Sequence, residues 1–458
     1  MKTRIINKKL DRVIGILLFY LFTFLPLSAQ TYSLQQLKDS ALHNNIAIRK
    51  SQHDIEAARQ QRKEAFTKYF PHVSGTGLWF NANKGMAETT INPSEAIPSS
   101  LTTALAQSLP AEALASLASP VSISMMKNGT IAGVTAVQPV FAGGQIVHAN
   151  KLAQVGEEVN RLQLQLSENE VERQTEEYFW QLVSLQEKMK TIEAIEKLLA
   201  DIYKDVDVAV RAGVAMRNDL LQVQLRQNDT ESHKIKLQNG ISIVRLLLAQ
   251  YCRLSSDQFT VSSPNDTNMA IPQQQDPTSS LASLPEYQLL QKQVQATNIQ
   301  RKMEIGKNLP SIGVGAGYNY HNLLDKNHTF GMVFATVSVP ISEWWGGSHA
   351  IKRKKIAQKQ AEEQLVNNSE LLKIRMQKAW NDVLEAHQQL TIAKRSIEQS
   401  EENLRLNRNY YRAGTSKMSD LLEAQLLYQQ SLDKHTDATA EYHNKLLEYR
   451  QATGIGKY

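Results

Sequence analysis

The chain has 458 residues, 42% hydrophobic and 21% charged, with a formal net charge of +6 and a single cysteine. That length allows two or three ordinary domains and a large core, and with Cys252 alone an intrachain disulfide is excluded. Lys2, Arg4, Lys8, Lys9, Arg12 and Asp11 cluster at the N-terminus, and without them the net charge falls from +6 to +2. The basic balance is therefore a terminal feature and does not point to nucleic acid.

In chain order, the basic start is followed by VIGILLFYLFTFLPL and then Ser28-Ala29-Gln30. A basic n-region, a short apolar h-region and a small-residue cleavage site predict a signal peptide over 1–30 and an exported protein. The apolar run is shorter than the ~20 residues a spanning helix needs, and no later segment reaches ~18 consecutive apolar residues. A mature chain that enters the membrane must then do so as β-strands. No Cys stands beside the cleavage site, so no lipid anchor is predicted.

The rest of the sequence repeats itself. YFPHVSGTG is echoed by NLPSIGVGAG, and VTAVQPVFAGGQ by ATVSVPISEWWGGS, with Pro139 and Pro340 spaced 201 apart. AVRAGVAMRNDLLQVQ and YYRAGTSKMSDLLEAQ are separated by the same 201 residues. The first repeat, 31–252, reads helix, hairpin 72–141 with an enlarged loop 84–130, long helix, turn near 213, and helix. A polar connection, 253–285, leads to the second repeat, 286–458. It has a helix, hairpin 311–341, a long helix, a turn near 414 and a final helix.

Both long helices carry a coiled-coil period. Val383, Leu390, Ile397, Leu404 and Tyr411 recur every seven residues, with Ala386, Ala393 and Ser400 beside them; Leu185, Ile192, Leu199 and Val206 do the same in the first repeat. Glu196 interrupts the companion row there. Proline-free stretches from Gly144 to Ala212 and from Gly347 to Ala413 predict helices about 100 Å long at ~1.5 Å per residue, which suit a rod or a tube. The four runs 73–83, 131–141, 311–320 and 331–341 are Gly-, aromatic- or β-branched-rich. Each is close to the ~9–11 residues of a membrane-spanning strand. Trp79, Phe80, Tyr318, Tyr320, Trp344 and Trp345 lie near strand ends, as an aromatic girdle would. Four strands cannot close a barrel and would leave open edges, so partner chains are expected, and three copies would supply twelve strands. The expected class is mostly α with a small β part.

On these tandem halves, the strand-to-helix strings QPVFAGGQ and VPISEWWGGS, and the paired RAG…DLL turns, the chain resembles the outer membrane efflux protein (TolC-like) family over its mature length. The resemblance implies a homotrimer with a 12-stranded outer-membrane β-barrel continuing into a periplasmic α-barrel. It implies a passive channel of a tripartite efflux or type I secretion system, joined to an inner-membrane transporter by a periplasmic adaptor. Drugs, metals and secreted proteins are not distinguished as cargo. An exported coiled-coil scaffold without a pore is the alternative reading.

Three groups of residues are singled out. Pro139, Gly143 and Gly144, and Pro340, Gly346 and Gly347, are expected to hinge strand to helix by supplying backbone freedom and a break in pairing. Gly213 and Gly414 suit the left-handed position after a helix; Arg211, Arg217, Arg412 and Lys417 beside them are candidates for adaptor contact. Asp219 and Asp420 start the return helices, where a carboxylate favours the dipole. The resemblance further implies a periplasmic gate in which Asp420 and Glu423 form acidic rings and Tyr411 makes inter-helix contacts; Asp219 is a further candidate for the gate, with helix capping as its other role. Val210 and Gln222 replace Tyr411 and Glu423 in the first half, and Ser416 and Lys417 stand where some members carry Arg.

No enzyme signature is found: HExxH, CxxC, P-loop and GxSxG are absent, and GVGAG at 313–317 lacks the βαβ context of a dinucleotide loop. No cofactor is expected. His321 and His328 flank the second hairpin turn, as a metal pair or an exposed loop. The KRKK run at 352–355 reads either as a solvated face or as a contact for lipid phosphates.

Overall fold

The computed structural model describes residues 30–92, 98, 101, 110, 112, 119–262, 269–323 and 326–455. The expected signal peptide up to residue 29 lies outside them, as does most of the enlarged loop between 93 and 118. The chain begins with β1 (Gln30–Tyr32), α1 (Leu34–Asn44), α2 (Ile46–Thr67), β2 (His72–Asn81), β3 (Ala87–Ile91), β4 (Val121–Met125) and β5 (Asn128–Ala142). It continues with α3 (Gln145–Arg211), α4 (Arg217–Cys252), β6 (Phe259–Val261), α5 (Pro277–Ser280) and α6 (Pro285–Lys307). Last come β7 (Ser311–His321), β8 (His328–Ser338), α7 (Glu343–Arg412) and α8 (Met418–Thr453). Two compact units result: Glu56–Glu158 with Lys292–Glu363, and Met1–Ile55 with Val159–Gln291 and Gln364–Tyr458.

The first of these units holds a four-stranded antiparallel sheet in the order β2-β5-β7-β8. None of the four strands contains Asp, Glu, Lys or Arg. Residues paired across strands share a face, and the register puts Val73, Trp79, Val134, Ile312, Val314, Tyr318, Val333 and Val337 on one of them. That apolar face is open; Trp79 is 71% and Val333 87% exposed. Ser74, Thr76, Thr135, Asn319, Thr336 and Ser338 share the opposite face with Leu78, Phe330 and Phe334. Among the described residues, β2 and β8 each pair on one side only, so both outer edges are unpartnered. Pairing of β5 with β7 slips between Pro139 and Phe141. Pro has no N–H to give the ladder, and it sits beyond Val137, where β2 stops pairing. β3 and β4 form a separate two-stranded ribbon within the enlarged loop.

Among the described residues, the helical unit has three cores. Phe179, Trp180 and Leu182 of α3 pack with Leu37, Leu248, Cys252 and Phe259. Met376 and Val383 of α7 pack with Leu284, Tyr442 and Tyr449. Nearest the helix turns, Ile195, Leu199, Ile202 and Val206 meet Val223, Leu404, Met418 and Leu421. The heptad rows thus lie inside: Leu199, Val206 and Val383 are wholly buried. Glu196, which breaks the row, accepts an ion pair from Lys234 of α4 at 2.7 Å. Within the connection 253–285, β6 pairs in parallel with β1, and Asp276 caps α5 by accepting from the Thr278 and Ser279 amides.

Candidate functional site

The two helix turns are built alike. Gly213 and Gly414 take φ of +75° and +72°, a region that L-residues with a Cβ avoid. Their geometry lets Val214 N–H donate to Ala209 O and Thr415 N–H to Tyr410 O, both at 2.9 Å, while each Gly N–H reaches back to the 210 or 411 carbonyl. These bonds satisfy carbonyls that a helix end leaves open. The return helices are then capped by their own third residue. The Asp219 carboxylate accepts from the Met216 amide at 3.2 Å, and Asp420 accepts from the Lys417 amide at 3.2 Å. Asp420 also accepts from the Ser416 and Ser419 hydroxyls at 3.3 and 3.1 Å. The Lys417 amide first, and then the Ser419 hydroxyl, hold its carboxyl below the usual carboxylate range.

The other tip residues divide by side-chain environment. Tyr411 is half-buried against the core that contains Val206 and Leu421. Burial, and then the charge of Asp219, push its phenol up. Glu423 is exposed one turn beyond Asp420. Arg412 of α7 reaches Asp205 of α3 at 2.8 Å, tying the tip of the second helix pair to the first, whereas Arg211 pairs along its own helix with Asp207 at 2.7 Å. Arg217 and Lys417 are exposed.

The strand-to-helix junctions differ from each other, although both carry Gly-Gly. Gly143 and Gly144 have φ of +59° and +75° and form the break between β5 and α3. A Cβ on Gly143 would strike the Gly306 carbonyl, and one on Gly306 would strike the Gly143 carbonyl, so two backbones touch there. In the second repeat α7 starts at Glu343, so Gly346 and Gly347 lie inside the helix. The break falls at Val339 to Ser342, around Pro340, where Glu343 N–H donates to Pro340 O. Gly347 answers to a different need: Asn308 occupies the space its Cβ would take, and the Trp344 indole donates to the Asn308 carbonyl at 2.9 Å.

Several contacts between the repeats had no signal in the sequence. Gln425, wholly buried, accepts from Arg226 Nε at 2.9 Å and donates to Gln429. Trp180 stacks on His443 with centroids 3.8 Å apart. Lys188 meets Asp437 at 2.7 Å. Burial pushes the neighbouring Asp433 carboxyl up, partly countered by Lys188. Among the described residues no group of three or more His, Cys, Asp or Glu could hold a metal, and no helix is long and apolar enough to cross a membrane. His321 and His328 face each other with ring centroids at 5.3 Å.

This arrangement is the fold of solved outer-membrane channels. OprN matches with a TM-score of 0.74 at 17% identity, over 92% of this chain and 90% of that one. VceC from Vibrio cholerae matches with a TM-score of 0.70 at 12% identity, over 93% and 97%. The open state of the Neisseria gonorrhoeae MtrE channel gives 0.71 at 14%, over 92% and 89%. In sequence, residues 277–455 match the family described as outer membrane efflux protein. A search of curated protein sequences finds no match. The chain thus resembles the outer membrane efflux (TolC-like) family, by sequence across most of its second repeat and by fold over nearly its whole length.

Proposed function

We propose that this protein is the outer-membrane duct of a tripartite efflux or type I secretion system, working as a homotrimer. The observation that carries the reading is the uncharged four-stranded sheet, with one open apolar face and, among the described residues, two unpartnered edges. Lipid tolerates strands only in a closed barrel, and three copies joined edge to edge remove every edge in twelve strands. Helices of 67 and 70 residues then extend into the periplasm as a tunnel wall. Cargo passes down its own gradient or is pushed by an inner-membrane transporter, so the duct needs no catalytic centre.

At the periplasmic turns, three-fold symmetry would convert Asp420 and Glu423 into rings of three carboxylates. Such rings favour cations and repel one another. Arg412 to Asp205 is the tie that holds the tip closed against that repulsion, and an adaptor would engage the exposed Arg217 and Lys417. Purification from outer membranes in detergent followed by native mass measurement tests the assembly. A mass of three chains supports the duct, whereas a monomer that is soluble without detergent contradicts it and favours a coiled-coil scaffold.

A further inference from the structure

Next to the uncharged sheet, exposed side chains change from aromatic to basic over a short distance. α7 begins at Glu343, continues with Trp344 and Trp345 and runs on through Lys352, Arg353, Lys354 and Lys355 to Lys359, with no acid between Trp344 and Ala361. At 3.6 residues per turn, Trp345, Lys352, Ile356 and Lys359 fall in a single stripe. Trp345 is 78% and Ile356 58% exposed, and both lysines are exposed with them. Lys354 lies off this stripe and donates to Gln300.

α2 shows the same order in mirror image. Phe66 is 55% exposed and meets Tyr69 and Phe70 edge-on, each at 5.6 Å. Lys63 and Arg59 precede it on the same face and are exposed; Arg59 pairs with Glu56 at 2.9 Å, and neighbouring Arg62 with the buried Glu157 at 3.1 Å. Seven residues of helix, from Trp345 to Lys352 or from Phe66 back to Arg59, cover about 10 Å. The headgroup layer on one side of a bilayer is roughly 5–8 Å thick, and aromatic rings settle at its inner margin. A lysine that extends back along the helix from that distance places its ammonium among the phosphates.

We propose that Lys352 of α7, with Arg353 and Lys355 beside it, binds the phosphates of anionic phospholipids in the leaflet facing the helices. The inference rests on the reading of the sheet as part of an outer-membrane barrel. A face that merely stays in water would need no acid-free run of five cations directly behind two exposed tryptophans. Each cation near an anionic surface enriches the anionic lipid about five-fold.

The test uses the full-length chain carrying Trp79→Phe, reconstituted in phosphatidylcholine vesicles that hold equal fractions of either brominated phosphatidylglycerol or brominated phosphatidylcholine. Of the remaining tryptophans, Trp180 is buried and Trp380 packs against Tyr449 in a helical core, so quenching by bromine reports Trp344 and Trp345. Stronger quenching by the anionic lipid, fading as NaCl rises from about 0.05 to about 0.5 M, is the expected result. Inorganic phosphate should reduce it no more than chloride at equal ionic strength, which separates lipid from free phosphate as the ligand. The K352A/R353A/K355A variant should lose the preference while keeping its quenching by brominated phosphatidylcholine, a sign that it still inserts. Equal quenching by the two lipids in the parent, or a preference that survives in the variant, overturns the proposal. No quenching by either lipid would contradict insertion itself, and the lipid site with it.

Discussion

Replacing Gly143 by Ala should destabilise the protein, while the same change at Gly346 should not, although both belong to Gly-Gly pairs after a strand. Gly143 sits at φ +59°, which costs an alanine about 1–2 kcal/mol. Its new Cβ would also meet the backbone carbonyl of Gly306, which cannot swing aside as a side chain would. Overpacking of that kind adds about 1–3 kcal/mol, so the expected loss is about 2–5 kcal/mol. Gly346 lies within α7 with nothing inside 4 Å of its missing Cβ, and alanine there gains up to about 1 kcal/mol of helix propensity. Heat-induced loss of the folded assembly's gel mobility in detergent would rank the variants: G143A well below the parent, G346A level with it or above. Equal losses in the two, or a larger loss in G346A, would refute the distinction between a left-handed junction and a helical one.

Other consequences can be measured as readily. Asp420→Asn should keep most of the cap to the Lys417 amide yet remove the charge, so its conductance should rise at near-parental stability; unchanged cation selectivity would remove Asp420 from the gate. Because the folded Asp420 carboxyl is held low by the Lys417 amide, its stabilising effect is complete above the ordinary carboxylate range. It is lost as pH falls through the lowered value, so acid unfolding profiles of D420A and parent should converge at low pH. Arg412→Ala removes an exposed pair worth at most about 1 kcal/mol. Its melting point should scarcely move while channel openings become more frequent; a parental opening rate would show that this pair does not hold the tip. Cys252 is buried, and burial pushes its thiol up to about 12, so maleimide should label it only after denaturation, and rapid labelling of the folded protein would contradict this packing.

Much of the fold was legible because its signals are local and repeated. The seven-residue rows through Leu199, Val206 and Val383 predict the buried stripes observed, and the RAG strings mark both turns because only glycine takes their left-handed residue easily. Glu196 interrupts the pattern without breaking the helix, since its partner Lys234 comes from the returning helix. The junction in the second repeat was misleading: Gly346 and Gly347 look like the hinge of the first repeat, but α7 already begins at Glu343 and encloses them. The role of Gly347 depends on Asn308, which approaches from beyond the end of α6. Long-range pairings such as β1 with β6, Arg226 with Gln425 and Trp180 with His443 join residues far apart in the chain, and no periodicity encodes them. The sequence puts Asp219 and Asp420 in the first turns of the return helices, where they lie, but the capping bonds that occupy Asp420 became visible only in three dimensions.

The central claim is a conducting duct, and single-channel recording in planar bilayers tests it most directly. The purified protein should give small, cation-selective steps that enlarge when Asp420→Asn is combined with Glu423→Gln. A correctly assembled trimer that never conducts, with or without those substitutions, would contradict the account.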